Sequence, residues 1–196
     1  SLLTPMRESS ASLMHLINHL IELSALEAGQ VKLKPVPFAV SDLLQALVLN
    51  HRKAAATKGL RMIEEEYPAL PDLLLGDVEC LRRTFTHLLD NAIKFTECGT
   101  VSISVRVAES LSSLVKLEFT VADTGIGIAP EVLPQLSSLF VQGDGSCMRR
   151  HGGIGVGLPI ARKQIELMGG EIKLESEVGV GSRASFTLPF ALPDPD

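Results

Sequence analysis

Two glycine-rich segments, DTGIGI at residues 123–128 and GGIGVGL at 152–158, constrain this chain more than any other feature. The first follows an apolar run ending at Val121 and Ala122, and the second opens onto a helical pattern over about 156–168. Glycines at such junctions let a backbone turn sharply and let another group approach it closely. A third segment, LLDNAIKFT at 88–96, lies upstream on a second helical pattern. In this order the three supply an amide, a carboxylate and free backbone N–H groups, the parts of a nucleotide pocket.

The stretches around them alternate without a regular strand–helix–strand order. Residues 1–28 carry apolar or small residues at 2, 6, 9, 13, 16, 20 and 23, a four-three spacing that keeps one seam turned toward a partner helix. Ile17 and Ile21 widen the stripe toward a bundle, and packing on the helix's own domain is the alternative. Pro35 and Pro37 make 31–40 a linker or edge strand. Ser41 is expected to cap a helix over about 42–57 that ends at Gly59, with a strand near 60–66 beyond it. Asp77 is expected to cap a helix over about 78–95 with Leu81, Phe85, Leu88, Leu89 and Ala92 inward.

Runs at 100–107 and 114–122 read as an antiparallel hairpin. A proline-, glycine- and serine-rich lid follows over about 129–152. Strands near 171–177 and 183–190 are split by Gly179-Val180-Gly181. This predicts a two-layer α/β sandwich, a mixed sheet with helices on one face, preceded by a long N-terminal helix. The units are 1–30, a helix; 31–40, a linker or edge strand; and 41–196, the main domain.

Composition removes several function classes. Aromatic residues are 4% of the chain with no Trp, and the formal net charge is −5, which together disfavour a nucleic-acid partner. No apolar run reaches the length that spans a bilayer, so direct membrane contact is not expected, while an inner-membrane anchor elsewhere in a parent protein stays open. Cys80, Cys98 and Cys147 have no metal-ligand spacing and read as free thiols of a cytoplasmic protein.

On the 78–95 helix, His87, Asn91 and Lys94 follow i, i+4, i+7 spacing and share a ridge, which is either a polar site or the solvated edge of an amphipathic helix. The Asn91 amide oxygen suits Mg²⁺, and Lys94 could reach a phosphate. Asp123 could accept a hydrogen bond from an exocyclic amine such as that of adenine. Gly153, Gly155 and Gly157 precede a helix whose N-terminus favours an anion, and Arg149 and Arg150, just upstream in the lid, either close on a terminal phosphate or form an exposed basic pair.

Taken together, the segments resemble the catalytic and ATP-binding domain of sensor histidine kinases of the hybrid type, within the group that includes gyrase, Hsp90 and MutL ATPases. LLDNAIKFT resembles the N box, DTGIGI the G1 box, GGIGVGL the G2 box, and LFVQGDGSCMRRHGG the F box and lid. HLINHLIELSALEAGQVKLKPVPF is similar to the second dimerisation helix and its link into the catalytic domain. The resemblance implies a Bergerat-type fold that binds ATP and Mg²⁺. It implies that Asn91 holds Mg²⁺, Lys94 contacts phosphate, Phe95 packs by adenine, Asp123 binds the adenine amine, and Gly125 and Gly127 shape the pocket floor. Gly153, Gly155, Gly157 and Leu158 would form the lid hinge and phosphate-facing helix start, and His87 stands where gyrase-like ATPases carry a general-base Glu.

The implied activity is transfer of the γ-phosphoryl group to a His on a dimerisation domain of the same or another sensor kinase, with a response regulator or receiver domain downstream. The family's phospho-accepting His-Glu…Arg-Thr-Pro segment is not found around His15, His19, His51, His87 or His151. Its first dimerisation helix would precede Ser1, and a homodimer through the N-terminal helix remains one arrangement the seam allows. LSSLF leaves only Phe140 of the usual F-box aromatics, and Ile154 and Pro159 are further departures. These departures leave a second reading open, a degenerate kinase domain that serves as a regulatory interaction module.

Overall fold

Three long strands carry the fold: β4 (Thr100–Ser110), β5 (Leu114–Asp123) and β7 (Gly181–Ala191). Each alternates buried and more exposed residues, and the period of two delivers Val101, Ile103, Val105, Val115, Leu117, Phe119, Val121, Phe186, Leu188 and Phe190 to one face. The other face carries Ser102, Ser104, Arg106, Glu118, Ser185 and Thr187, with Arg106 paired bidentately to Glu118 across the β4–β5 ladder. A sheet with one apolar face needs a single covering layer, which the helices provide. The computed structural model describes residues 3–65, 70–136 and 157–193.

The remaining strands are β1 (Val36–Phe38), β2 (Arg61–Glu64), β3 (Leu74–Gly76) and β6 (Glu171–Glu177). The sheet runs β1-β3-β7-β5-β4-β2, with β6 also paired to β7. Only β2 runs parallel to its neighbour, β4, so the sheet is mixed as expected. Pro37 lies in the edge strand β1, where a missing N–H costs no ladder bond. The sequence reading contained neither β3, three residues long, nor the single turn α4 (Leu133–Leu136).

The helical layer consists of α2 (Val40–Thr57), α3 (Val78–Phe95) and α5 (Gly157–Leu167). Ser41 is not the cap of α2; Ala39 holds that position without a side-chain bond, and Ser41 falls inside the first turn. Burial decides the start, since Val40 is 1% exposed and extends the buried stripe Leu43, Leu44, Leu47 one turn back. Five phenylalanines concentrate at the layer interface. Phe85 of α3 stands 5.4 Å from both Phe119 and Phe186, Phe190 stands 6.1 Å from Phe119, and Phe38 completes the chain 5.7 Å from Phe190. A chain with few aromatics thus spends them on its core.

The N-terminal helix α1 (Leu3–Glu27) divides its apolar seam. Leu23 and Leu26 pack on Ile160 of α5 in the same chain, while Leu13, Met14, Ile17, Leu20 and Ile21 stay exposed. The seam positions 2, 6, 9 and 16 have side chains outside the described residues, as do Phe140, Cys147 and most of the expected lid.

Phe85→Ala should lower the unfolding free energy in a urea titration by about 3–5 kcal/mol, because a fully buried ring leaves a cavity. Arg106→Ala, on the polar face, should cost no more than about 1 kcal/mol.

Candidate functional site

Helix α3 is fixed at both ends, and this fixes the site. At its start the Asp77 carboxylate accepts from the Cys80 N–H (2.9 Å) and, with its other oxygen, from the Lys34 N–H of the linker (2.8 Å). At its end the Lys58 amine, arriving from the end of α2, donates to the carbonyls of Ile93 (2.7 Å) and Lys94 (2.9 Å). A cation there satisfies terminal carbonyls and complements the helix dipole. His51 of α2 adds a lateral tie, with Nε2 3.5 Å from Asp90 Oδ1, and that carboxylate is the main reason its pKa is raised.

The face of α3 that does not enter the phenylalanine cluster borders a cavity of about 290 Å³. Its walls are largely apolar, with Leu88, Ala92, Phe95, Ile126, Val132, Leu158 and Leu174 around the polar groups of Asn91, Asp123 and Ser182. A mostly apolar hollow with a few convergent polar groups is the usual form of a small-molecule site. A larger hollow of about 690 Å³, between the linker and the start of α3, involves none of the three motifs.

Asp123 ends β5 at the cavity floor. Burial pushes its carboxyl above the usual carboxylate range, against the hydrogen bond it accepts from the Gly125 N–H at 2.8 Å, while the Thr96 hydroxyl nearby donates to the Ala92 carbonyl at 2.7 Å. The glycines that follow are required by contact. A Cβ at Gly125 would collide with the Phe95 carbonyl, and one at Gly127 (φ 69°) with the Glu177 carbonyl. The turn is also stitched to its surroundings. The Ile126 N–H donates to Phe95 O (3.1 Å), the Ile128 N–H to Ser176 Oγ (2.8 Å), and the Gly179 N–H to Ile126 O (2.8 Å).

At the other end of the cavity, α5 begins at Gly157. A side chain there would start 3.5 Å from Asn91 Nδ2 and 3.7 Å from His87 Nδ1, so both groups face the glycine. The N-terminus of α5 with an amide beside it is suited to an anion. Leu158 packs on the core and lines the cavity.

The expected ridge of His87, Asn91 and Lys94 therefore separates into three environments. Asn91 lines the cavity, and His87 is buried, with Nε2 3.4 Å from a Glu22 carboxylate oxygen of α1. Lys94 is not among the residues that line the cavity; its amine lies 5.3 Å from the Phe95 ring centroid, and its pKa is lowered by partial burial. Phe95, Asp123, Gly127 and Leu158 line the cavity, with Gly125 bonded to Asp123 and Gly157 beside Asn91. Arg149, Arg150, Gly153 and Gly155 lie outside the described residues.

Thr96, Ser176, Gly181 and Ser182 are site residues that sequence reasoning did not find. Gly179-Val180-Gly181 looked like a plain hairpin turn, yet a Cβ at Gly181 (φ 137°) would collide with the Asp123 carbonyl. The available signal was Gly179 and Gly181 closely spaced, more than an ordinary hairpin needs.

The sequence profile described as histidine kinase-, DNA gyrase B-, and HSP90-like ATPase matches residues 76–192. Sensor histidine kinase GacS of Pseudomonas protegens is 38% identical over 186 residues, covering 95% of this chain and 20% of that protein. Hybrid signal transduction histidine kinase A of Dictyostelium discoideum is 35% identical over 195 residues, covering 96% of this chain and 9% of that protein. The chain thus spans a fifth or less of these two relatives. Among solved structures, full-length ShkA in complex with AMPPNP superposes with a TM-score of 0.81 at 30% identity, covering 97% of this chain and 38% of ShkA.

Gly127→Ala should destabilise the fold by about 3 kcal/mol in thermal or chemical unfolding, combining a left-handed backbone with a backbone collision. Gly59→Ala has a similar φ of 71° but open space around it, and should cost about 1 kcal/mol.

Proposed function

Because the chain belongs to the histidine kinase-, DNA gyrase B- and HSP90-like ATPase family, we propose that it is the Mg-ATP-binding catalytic domain of a sensor histidine kinase. Its product is a phosphohistidine on a dimerisation domain of the same or another sensor kinase, from which a receiver domain or response regulator draws the phosphoryl group. The observation that carries this reading is one cavity with a desolvated carboxylate at its floor and an amide beside a helix N-terminus at its mouth. An AMPPNP complex of a 30%-identical structure supports it.

In this reading Asp123 accepts the exocyclic amine of adenine, and the hydrogen bond from the Gly125 N–H keeps the carboxylate oriented. Phe95, Leu158 and Leu174 supply the apolar walls for the base. The phosphates lie toward Gly157, where the start of α5 turns the positive end of its dipole to the site. The residues present fit a magnesium ion, because Mg²⁺ needs only one or two protein oxygens and Asn91 offers an amide oxygen at that end. When bound, Mg²⁺ neutralises phosphate charge during transfer. Lys94 would have to leave the Phe95 ring to meet a phosphate. Arg149, Arg150, Gly153 and Gly155 keep the lid and hinge roles assigned from sequence.

Titration with ATP, with and without Mg²⁺, tests this directly. Saturable Mg²⁺-dependent binding is expected, and no binding would leave the interaction-module reading in its place. Asn91→Asp should reduce phosphate transfer to a supplied dimerisation domain by about 100-fold or more, and an unaffected variant would remove Asn91 from the metal role.

The pH dependence has a defined sign. Asp123 must be ionised to accept the amine strongly, and its pKa is raised. Affinity should therefore fall on acidification at a higher pH than an ordinary carboxylate would allow. Asp123→Asn should weaken ATP about 10- to 100-fold, read by calorimetry.

A further inference from the structure

His87 is a buried polar side chain whose two ring nitrogens face different parts of the molecule. Nε2 lies 3.4 Å from Glu22 Oε2, across the contact between α1 and α3. Nδ1 faces the point above Gly157 that the Asn91 amide also faces. The His19 ring closes a third side, edge-on at 5.0 Å.

Glu22 is held as firmly as the ring it meets. Its Oε1 accepts from Gln164 Nε2 of α5 at 2.8 Å and stands 3.7 Å from Arg83 Nη1 of α3. Gln164 is 2% exposed, and its own oxygen accepts from the Thr84 hydroxyl at 3.0 Å, which orients its amide nitrogen toward Glu22. Leu23 and Leu26, on the next positions of α1, pack on Ile160 and keep this stretch of helix docked. The Glu22 carboxyl lies below its ordinary pKa, with the His87 bond as the main cause.

The chemistry of the pair fixes the ring. A carboxylate only accepts, so the imidazole nitrogen turned toward it must carry hydrogen. In the neutral ring, Nδ1 is then a bare lone pair. We propose that Glu22 is a positioning residue for the candidate site: it fixes the tautomer and orientation of His87 so that Nδ1 stands as a hydrogen-bond acceptor on the Gly157 side of α3, which the Asn91 amide also faces. An acceptor there orients the Asn91 amide, with its N–H groups toward His87 and its oxygen left for a cation, as an outer partner orients a metal ligand. This last role rests on the reading of Asn91 given above. Glu22 lies outside the 76–192 region that defines the family, so the site is finished by a residue of the N-terminal helix.

The test uses the ¹⁵N-labelled 196-residue chain without nucleotide, at a pH where the rings are neutral. A long-range ¹H–¹⁵N spectrum, with the His87 signals assigned by their loss in His87→Asn, should show one tautomer with hydrogen on Nε2. Glu22→Ala should give averaged shifts from both tautomers. Glu22→Gln, which keeps an acceptor oxygen, should recover the wild-type pattern, and backbone amide spectra of β4 and β5 verify that each variant is folded. Hydrogen on Nδ1 in the wild type, or an unchanged tautomer in Glu22→Ala, overturns the positioning.

A second arm compares ATP affinity with and without Mg²⁺. Glu22→Ala should lose about 10-fold of the Mg²⁺-dependent gain, and Glu22→Gln should regain most of it. An equal gain in wild type and Glu22→Ala overturns the link to the site. A wild type that binds no ATP instead overturns the proposed function, while the tautomer measurement still decides what Glu22 does to His87.

Discussion

The seating of α3 is the constraint from which the rest of this structure follows. One helix supplies Phe85 to the core, Asn91 and Phe95 to the cavity and His87 to the contact with α1. Three jobs on one element leave little freedom in its rotation or axial position, since a rise of 1.5 Å per residue would carry Asn91 off its place opposite Gly157. The molecule answers with polar anchors at both ends. Asp77 joins the first turn to the linker, and Lys58 joins the last carbonyls to α2. The cavity is then a consequence of where the helix stops.

The sheet contributes a different property. Its apolar face is covered once, by α2, α3 and α5, and its polar face stays open, so every long strand could be written with period two. That economy explains how a chain poor in aromatic residues builds a firm core. Five phenylalanines meet along one line between the layers, where each ring touches others as well as aliphatic neighbours.

Much of this could be read from residues in order. Asp77 announced the start of α3 because a capping carboxylate acts on an N–H three residues away. The hairpin of β4 and β5 and the tight turn at Gly125 and Gly127 were likewise local. Ser41 misled for the opposite reason: it is a good cap by type, but burial of Val40 carried the helix past it. β3 was too short to show a period. Lys58, Gly181 and Glu22 act across 35, 58 and 65 positions on Ile93, Asp123 and His87. Nothing in their neighbourhood signals the partner.

The close approach of Gly181 to the Asp123 carbonyl has a mechanical meaning. With no room for even a methyl group between them, the end of β5 and the beginning of β7 behave as one stiff body. Ser176 and Gly179 fasten the DTGIGI turn to the same body. The compliance of the pocket is thus concentrated on its helical side, around α5 and the single turn α4. A guest of a slightly different shape would be met by helices that shift against an unyielding sheet.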